Sequence, residues 1–221
     1  MSQQPNEPEH GALFSPLLEA AVRLASRGHY HQFRKNAADE NCGSPSGDFL
    51  PDRVPYIAHL MGTMCILARI GVRDEVLAAA ILHDYLEDVP DPDGRDSIRA
   101  ALGEDVLSLV LEVTELKRRE FDEADTWEIR KQEQIDHVER MPREAVLIKA
   151  ADVLHNLLSL LTDLEAAEDT DSVWRPFNAG PERQLWYFTG VIDAAERRLG
   201  EHPLLKELKE AVLRLHPFAA E

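Results

Sequence analysis

Four ionisable side chains interrupt an apolar segment of the sequence, AAAILHDYLED at residues 78–88. His83 and Asp84 are adjacent, and Glu87 and Asp88 each follow one of them by four positions. A buried charge is costly unless it is paired or binds a metal. An adjacent His and Asp at the end of an apolar helix therefore favour a metal site, although a core histidine beside a solvated helix end explains the pair alone equally well.

Two further residues would complete such a site. His59 lies in the apolar segment PYIAHLMGTMCIL, and Asp152 lies in VLIKAADVLHNLLSLL, where an unpaired carboxylate would be expensive. Two imidazoles and two carboxylates form a mixed nitrogen and oxygen donor set, which suits Mn, Fe or Zn better than calcium. We therefore predict one divalent transition metal bound by His59, His83, Asp84 and Asp152, and the donor types leave the choice among these metals open.

A second group of polar residues follows the predicted ligands at helical spacing. Glu87 and Asp88 would project from the turn next to His83 and Asp84, because residues four apart share a helix face. Asn156 and Ser159 come four and seven positions after Asp152, on one face, where they can bind substrate hydroxyls. Taken singly, Asn156 is equally explained as a bridge between helices and Ser159 as filler.

Helices must position these residues, because helical periodicity recurs along the chain without a convincing alternating strand pattern. Ser15 and Pro16 predict the start of the first helix. Residues 1–14 are predicted to be a mobile tail, residues 15–221 a single domain, and residues 36–53, rich in Gly, Pro, Ser, Asn and Asp, a long loop. The remaining helices are predicted near 56–70, from 74 to a turn at 90–94, and near 97–102, 105–115, 126–140, 143–161, 181–199 and 203–215. The fold class is therefore all-α.

Charge and cysteine content exclude several functions. The 221 residues include 24 Lys and Arg against 41 Asp and Glu, a net charge of −17 that repels polymeric nucleic acid and anionic membranes. A small phosphorylated substrate remains compatible, provided that basic residues gather locally or a metal supplies positive charge. Only Cys42 and Cys65 occur, and we find neither a signal peptide nor an apolar run near the ~18 residues that span a bilayer. We expect a cytoplasmic protein without a membrane partner; its oligomeric state stays open.

The motifs resemble a known family. PYIAH, ILHDYLED and LIKAADVLHNL are similar, in order and spacing, to segments of the HD-superfamily hydrolase domain of the Rel/SpoT stringent-response proteins. GHYHQFRKN also resembles a segment that precedes them in that family. The likeness extends from about residue 17 to about residue 199 and is closest to the small stand-alone hydrolases, including the Mesh type of animals. It implies an HD-domain helical bundle with about eight or more helices.

The resemblance also implies an activity and a role for each candidate residue. Such enzymes use one Mn²⁺ ion to remove the 3′-pyrophosphate from guanosine 3′,5′-bis(diphosphate)-type alarmones. By this resemblance, the metal ligands would be His59, His83, Asp84 and Asp152. Glu87 and Asp88 would be the carboxylates that position or deprotonate the attacking water. The substrate contacts would be Arg34 and Lys35 to the nucleotide, Asn156 to its ribose and Lys117 to a phosphate.

Departures from the family pattern keep two alternatives open. The 36–53 loop is longer than the family's usual loop, which borders the nucleotide site, so the substrate can be another nucleotide such as a 3′-phosphorylated adenine nucleotide or NADPH. The other alternative is a catalytically silent nucleotide-binding regulatory protein. The presence of Glu87 and Asp88 argues against this last interpretation.

Overall fold

A computed structural model describes residues 13–34, 53–115 and 123–219. Within these ranges the chain forms eleven α-helices and no β-strand, apart from one isolated antiparallel bridge between Phe33 and Pro55. The helices are α1 (Pro16–Gly28), α2 (Ile57–Ala68), α3 (Asp74–Ile81), α4 (Tyr85–Asp88), α5 (Gly94–Leu102), α6 (Glu104–Val113), α7 (Glu123–Val138), α8 (Arg143–Ala166), α9 (Thr170–Trp174), α10 (Pro181–Leu199) and α11 (Pro203–Ala219). The predicted all-α class is confirmed.

Helix α8 is the centre of the bundle. It packs against α2, α3, α6, α10 and α11, and the side chains of Leu154, Leu157 and Leu161 are fully buried. By length and composition α8 could cross a membrane, since its most apolar 18-residue window has a mean hydropathy of 1.4. The expectation that no stretch approaches this limit is therefore wrong. However, 72% of the window is buried inside the protein, as in the core helix of a globular fold.

The segment at residues 78–88 is not one continuous helix, which corrects the prediction. Helix α3 ends at Ile81, and α4 begins at Tyr85. Between them the amide of Leu82 donates to the carbonyl of Ala79 at 3.1 Å, and the ring Nδ1 of His83 donates to the carbonyl of Ala80 at 2.7 Å. In a continuous helix that carbonyl would accept from residue 84 instead, so the His83 side chain competes with the helical ladder.

Several predicted boundaries also shift. Helix α1 begins as expected, with Pro16 in its first turn and the Ser15 hydroxyl accepting the Leu18 amide at 3.4 Å. Helix α3 begins at the predicted residue, Asp74, but ends at Ile81, well before the predicted turn at 90–94. Helix α9 was not predicted at all, because a five-residue helix is too short to show periodicity.

The buried apolar residues form one cluster that extends from Ala21 in α1 to Ala219 in α11. This is compatible with the single domain proposed for residues 15–221. Most of the predicted tail at 1–14 and of the predicted loop at 36–53 lies outside the described residues.

Candidate active site

Four side chains predicted as metal ligands converge in the structure. His59 comes from α2, His83 and Asp84 from the break between α3 and α4, and Asp152 from the middle of α8. The exposed fractions of His59, His83 and Asp152 are only 1%, 4% and 6%. Ligand atoms of His59, His83 and Asp84 all lie within 4.8 Å of one another. Three separate parts of the chain therefore bring their polar groups to one buried point.

The distances between the donor atoms fit a single ion. The Nε2 atoms of His59 and His83 are 3.2 Å apart. Asp84 Oδ2 lies 3.1 Å from Nε2 of His83 and 3.7 Å from Nε2 of His59. Asp152 Oδ1 lies 3.3 Å from His59 Nε2 and 3.5 Å from His83 Nε2. Adjacent donors that bind one ion at about 2.1 Å stand about 3.0 to 3.4 Å apart, so the mixed donor set suits a divalent transition metal in spacing and in chemistry.

Electrostatics favour a cation at this point. Burial disfavours ionised Asp84, but the neighbouring His83 outweighs it and lowers the pKa of Asp84 below its ordinary value. Burial also opposes ionisation of Asp152, where Lys149 outweighs it and the pKa is lowered as well. Both carboxylates are therefore ionised at neutral pH. Their negative potential raises the pKa of His83, against the opposing effect of burial, and attracts positive charge.

Each proposed imidazole ligand has a partner for its second nitrogen. His83 Nδ1 lies 2.7 Å from the carbonyl oxygen of Ala80, which can only accept. His59 Nδ1 lies 3.0 Å from Nδ1 of His155, on α8. Burial and the neighbouring His59 lower the pKa of His155 to about 4, so this ring is neutral at neutral pH. The sequence analysis did not select His155.

Polar contacts connect the predicted substrate residues to Asp152. Lys149 Nζ donates to Asp152 Oδ2 at 3.0 Å, and Asn156 Nδ2 donates to Asp152 Oδ1 at 2.6 Å. Arg34 Nη1 in turn donates to Asn156 Oδ1 at 3.0 Å. The side-chain amide of Asn156 therefore links α8 to Arg34 in the segment after α1, and Asn156 also lines the cavity. Lys149 is buried, so its ammonium group faces Asp152 and the cavity and not solvent.

A second polar network lies beside Glu87. The Glu87 carboxylate accepts the backbone N–H of Glu115 at 2.5 Å. The Glu115 side chain is buried and accepts hydrogen bonds from Arg130, from Lys131 at 2.8 Å and from Gln134 at 2.5 Å. These three donors lie on α7, so α7 supports the backbone that contacts Glu87. The sequence analysis did not select these residues, because Glu115 and Arg130 are far apart in the chain.

Aromatic residues extend this network to α10. The Tyr187 hydroxyl donates to Gln134 Oε1 at 2.7 Å, and Lys131 Nζ lies 4.9 Å from the centre of the Tyr187 ring. Burial lowers the pKa of Lys131 below its ordinary value. A phosphate placed beside this ammonium would favour its charged form.

A cavity of about 640 Å³ joins the two networks. Its lining includes all four predicted ligands and Glu87, Asp88, Arg34, Asn156 and Ser159, together with Lys149, Arg130 and Lys131. Ser159 Oγ lies 3.4 Å from Nδ1 of His155. Two predicted substrate contacts, Lys35 and Lys117, lie outside the described residues. The cavity therefore places the proposed ligands, two further carboxylates and several cations in one space.

Tyr56 is a further cavity residue that sequence analysis missed. Its hydroxyl donates to Asp84 Oδ2 at 2.5 Å, and burial together with the nearby carboxylates raises its pKa well above the ordinary value. The phenol thus stays protonated and holds Asp84 in place. The only signal in the sequence is its position three residues before His59, in the PYIAH segment.

An all-α bundle with a buried His and Asp cluster in a charged cavity is the arrangement of a metal-dependent hydrolase. A family model described as HD domain matches residues 41–182. The chain belongs to the HD domain family.

Curated relatives and solved structures agree with this assignment. The chain is 35% identical over 146 residues to guanosine-3′,5′-bis(diphosphate) 3′-pyrophosphohydrolase MESH1 of Xenopus tropicalis, covering 65% of this chain and 69% of that enzyme. It is also 35% identical over 144 residues to a GTP pyrophosphokinase of Streptomyces coelicolor, but spans only 14% of that longer enzyme. A solved structure described as a metazoan ortholog of SpoT that hydrolyzes ppGpp is 26% identical, with a TM-score of 0.67 over 92% of this chain and 98% of that one.

Proposed function

We propose that the protein hydrolyses guanosine 3′,5′-bis(diphosphate)-type alarmones and releases the 3′-pyrophosphate. The convergence of His59, His83, Asp84 and Asp152, in the cavity that Glu87 and Asp88 also line, carries the proposal. The similarity to enzymes named for this reaction supports the choice of substrate. The runner-up substrates, a 3′-phosphorylated adenine nucleotide or NADPH, would use the same ligands.

The proposed reaction is a hydrolysis. A water oxygen bonds to the phosphorus attached to the ribose 3′-oxygen, the bond between that phosphorus and the 3′-oxygen breaks, and pyrophosphate leaves. When bound, a divalent metal at such a site polarises water and offsets phosphate charge. Glu87 or Asp88 accepts the proton of the attacking water, and the ribose 3′-oxygen gains a proton. The N–H of Glu115 keeps the Glu87 carboxylate oriented during this step.

A chain with a net negative charge repels an anionic substrate, so cations inside the cavity are needed to bind its phosphates. Lys149, Arg130 and Lys131 are largely buried and line the same cavity, so they supply charged donors for phosphate oxygens within a chain whose net charge is −17. Arg34, at the opposite side of Asn156 from Asp152, is the proposed nucleotide contact. A guanidinium can stack on a base and pair with phosphate in one geometry. Lys35 and Lys117 are proposed to add to these contacts.

The identity of the metal and the setting of the enzyme are part of the proposal. We propose Mn²⁺ as the ion, because the two-imidazole, two-carboxylate set suits it and the resembling enzymes use it. A small phosphorylated nucleotide is the proposed partner, in a reducing cytoplasm, as part of a stringent-type starvation response.

The test is product analysis with a nucleotide panel. The protein is loaded with Mn²⁺ and incubated with guanosine tetraphosphate, 3′-phosphoadenosine 5′-phosphate and NADPH, and pyrophosphate, orthophosphate and nucleotide products are measured. We expect equimolar pyrophosphate and GDP from guanosine tetraphosphate. The Asp84→Asn variant, prepared in parallel, is the control for contaminating phosphatases.

The other possible outcomes would indicate a different substrate or a different kind of protein. Orthophosphate from the adenine nucleotide or from NADPH, without pyrophosphate from guanosine tetraphosphate, would overturn the proposed substrate and keep the metal-dependent hydrolase. Binding of nucleotide without turnover in Mn²⁺-loaded protein would favour a regulatory binding protein.

A further inference from the structure

His155 occupies a position that the proposed reaction does not explain. It lies three residues after Asp152 on α8, and its Nδ1 atom is 3.0 Å from Nδ1 of His59. The two ring centroids are 4.9 Å apart, with the planes inclined at 60°. The other nitrogen of His59, Nε2, faces His83 and Asp152. Since Nε2 needs its lone pair to bind a metal, Nδ1 of His59 must carry the proton and needs an acceptor.

The neighbouring ligand uses a different acceptor for the same purpose. Nδ1 of His83 donates to the backbone carbonyl of Ala80, an acceptor that no substitution removes. His59 depends instead on a side chain, so its tautomer can be altered by mutation. Orientation of ligating histidines through their second nitrogen is a general feature of metal sites.

Gly62 gives a second, independent observation. A Cβ atom at Gly62 would lie 2.1 Å from both Cδ2 and Nε2 of the His155 ring, far inside contact distance. Gly62 is in the middle of α2, one turn after His59, and its backbone is helical, so its conformation does not require glycine. A glycine at this position leaves space for the His155 ring, which any larger residue would displace. This space comes with a lower helix propensity at position 62.

We propose that His155 is a positioning residue that fixes the tautomer and ring orientation of His59 and thereby sets the affinity of the site for its metal. His155 accepts the Nδ1–H of His59, which leaves Nε2 of His59 free to bind the ion. This inference rests on the proposed metal site, and it adds a residue outside the ligand set.

Metal affinity, measured without turnover, tests the proposal. The Mn²⁺ dissociation constant is determined by competition with a chelating dye for the parent and three variants. His155→Phe keeps a ring but removes the acceptor, and we expect 10- to 100-fold weaker binding, the usual effect of losing such a partner. His155→Asn restores an acceptor oxygen close to the position of Nδ1 and should retain most of the affinity. His137→Leu, on α7 outside the cavity, is the matched control and should bind like the parent.

A spectroscopic measurement separates tautomer control from a packing effect. In two-dimensional ¹⁵N–¹H spectra of the imidazoles, His59 should show the Nδ1–H form in the parent and in His155→Asn, and a mixture in His155→Phe. If His155→Phe does not fold, as judged by circular dichroism, His155→Ala takes its place with the same expected loss.

The result that overturns the proposal is equal Mn²⁺ affinity in the parent and in a folded variant without the acceptor. That result would leave the proposed function intact, because the parent would still bind the metal. Failure of the parent to bind Mn²⁺ at all would instead remove the metal site and the proposed function together.

Discussion

The metal half of the cavity and its cationic half are built in different ways. The proposed ligands lie on α2, on the break after α3 and on α8, three elements that pack directly on one another in the core. Glu115, Arg130, Lys131 and Gln134, which define the cationic half, depend on α7, and α7 packs on α10. The metal half is therefore part of the central core of the bundle, and the cationic half lies at its periphery.

This difference indicates a division of labour. Ligands that bind one ion must be fixed within a few tenths of an ångström, and a closely packed core provides such precision. Side chains that recognise a charged substrate act over longer distances and can lie on a peripheral pair of helices. We therefore expect substitutions of the proposed metal ligands to affect metal binding and catalysis together, and substitutions in the cationic half to affect mainly substrate binding and to leave metal affinity unchanged.

The largest expected effect is that of Asp84→Asn. The substitution replaces an ionised carboxylate ligand with a neutral amide, which is a weaker metal donor. Metal content should therefore fall from about one ion per chain to a small fraction, and hydrolysis should fall with it. Elemental analysis after remetallation, together with the product assay, measures both. A variant that keeps its metal and its activity would contradict the assignment of Asp84.

The next effect distinguishes chemistry from metal retention. Glu87→Gln keeps an oxygen that accepts the Glu115 N–H, but it removes the carboxylate charge. We expect turnover to fall by ~100-fold with the metal retained, the usual scale for lost acid–base help. The double variant with Asp88→Asn should fall further. Metal loss in either variant would move that carboxylate into the ligand set.

A smaller effect is expected in the cationic half. Lys131→Met retains the length of the side chain and its contact with Tyr187 but removes one charged donor. We expect KM for guanosine tetraphosphate to rise by about tenfold, with a smaller change in kcat and unchanged Mn²⁺ affinity, because a hydrogen bond from a charged group is worth about 1.5 to 3 kcal/mol. Lys209→Met on α11 is the matched control, since its partner Glu196 lies on the surface. Weaker metal binding in Lys131→Met would remove the division between the two halves.

The smallest effect concerns an ion pair outside both halves. Arg73, just before α3, makes two hydrogen bonds of 2.7 Å to Glu144 in the first turn of α8, and this contact lowers the pKa of Glu144. Because the folded-state pKa is lowered, the pair stabilises the protein above the ordinary pKa of Glu144, and the stabilisation disappears as the pH falls through the folded-state value. Glu144→Gln should therefore lower the free energy of unfolding by less than about 1 kcal/mol at neutral pH, because the pair is partly exposed. Denaturant titrations at neutral pH and at about pH 3 should show the difference shrinking in acid, and metal affinity should not change.

The proposed metal ligands could be selected from the sequence because the signal for each lies in its own short segment of the chain. His59 and Asp152 are polar residues in apolar helices, and the expense of burying them unpaired is visible without a structure. The helices α8 and α10 were predicted to begin at residues 143 and 181, as observed, since a breaking Pro142 and a Gly180–Pro181 pair mark these starts. The break after Ile81 was missed, because the periodicity of residues 78–88 does not reveal that the His83 ring takes a backbone carbonyl.

The cationic half could not be predicted, because its evidence is tertiary. Arg130 and Lys131 lie on a helix whose polar residues resemble a solvated face, and only the packing of α7 beside the end of α6 buries them around Glu115. His155 was missed for a similar reason. A histidine between Asp152 and Asn156 has no special pattern of its own until α2 brings His59 within 3.0 Å of it.

The break between α3 and α4 also has a consequence for how an ion would leave the proposed site. His59 and Asp152 lie on long helices in the core, whose backbone opens only with large parts of the fold. His83 and Asp84 lie in a turn between two helices, where the amides of Leu82 and His83 donate to the carbonyls of Ala79 and Ala80 at 3.1 and 3.5 Å. Opening of this short turn would release two of the four proposed ligands, His83 and Asp84. We therefore expect release of a bound ion to depend on local opening at residues 82–84, and in deuterium-exchange experiments added Mn²⁺ should slow the exchange of these amides more than that of α8.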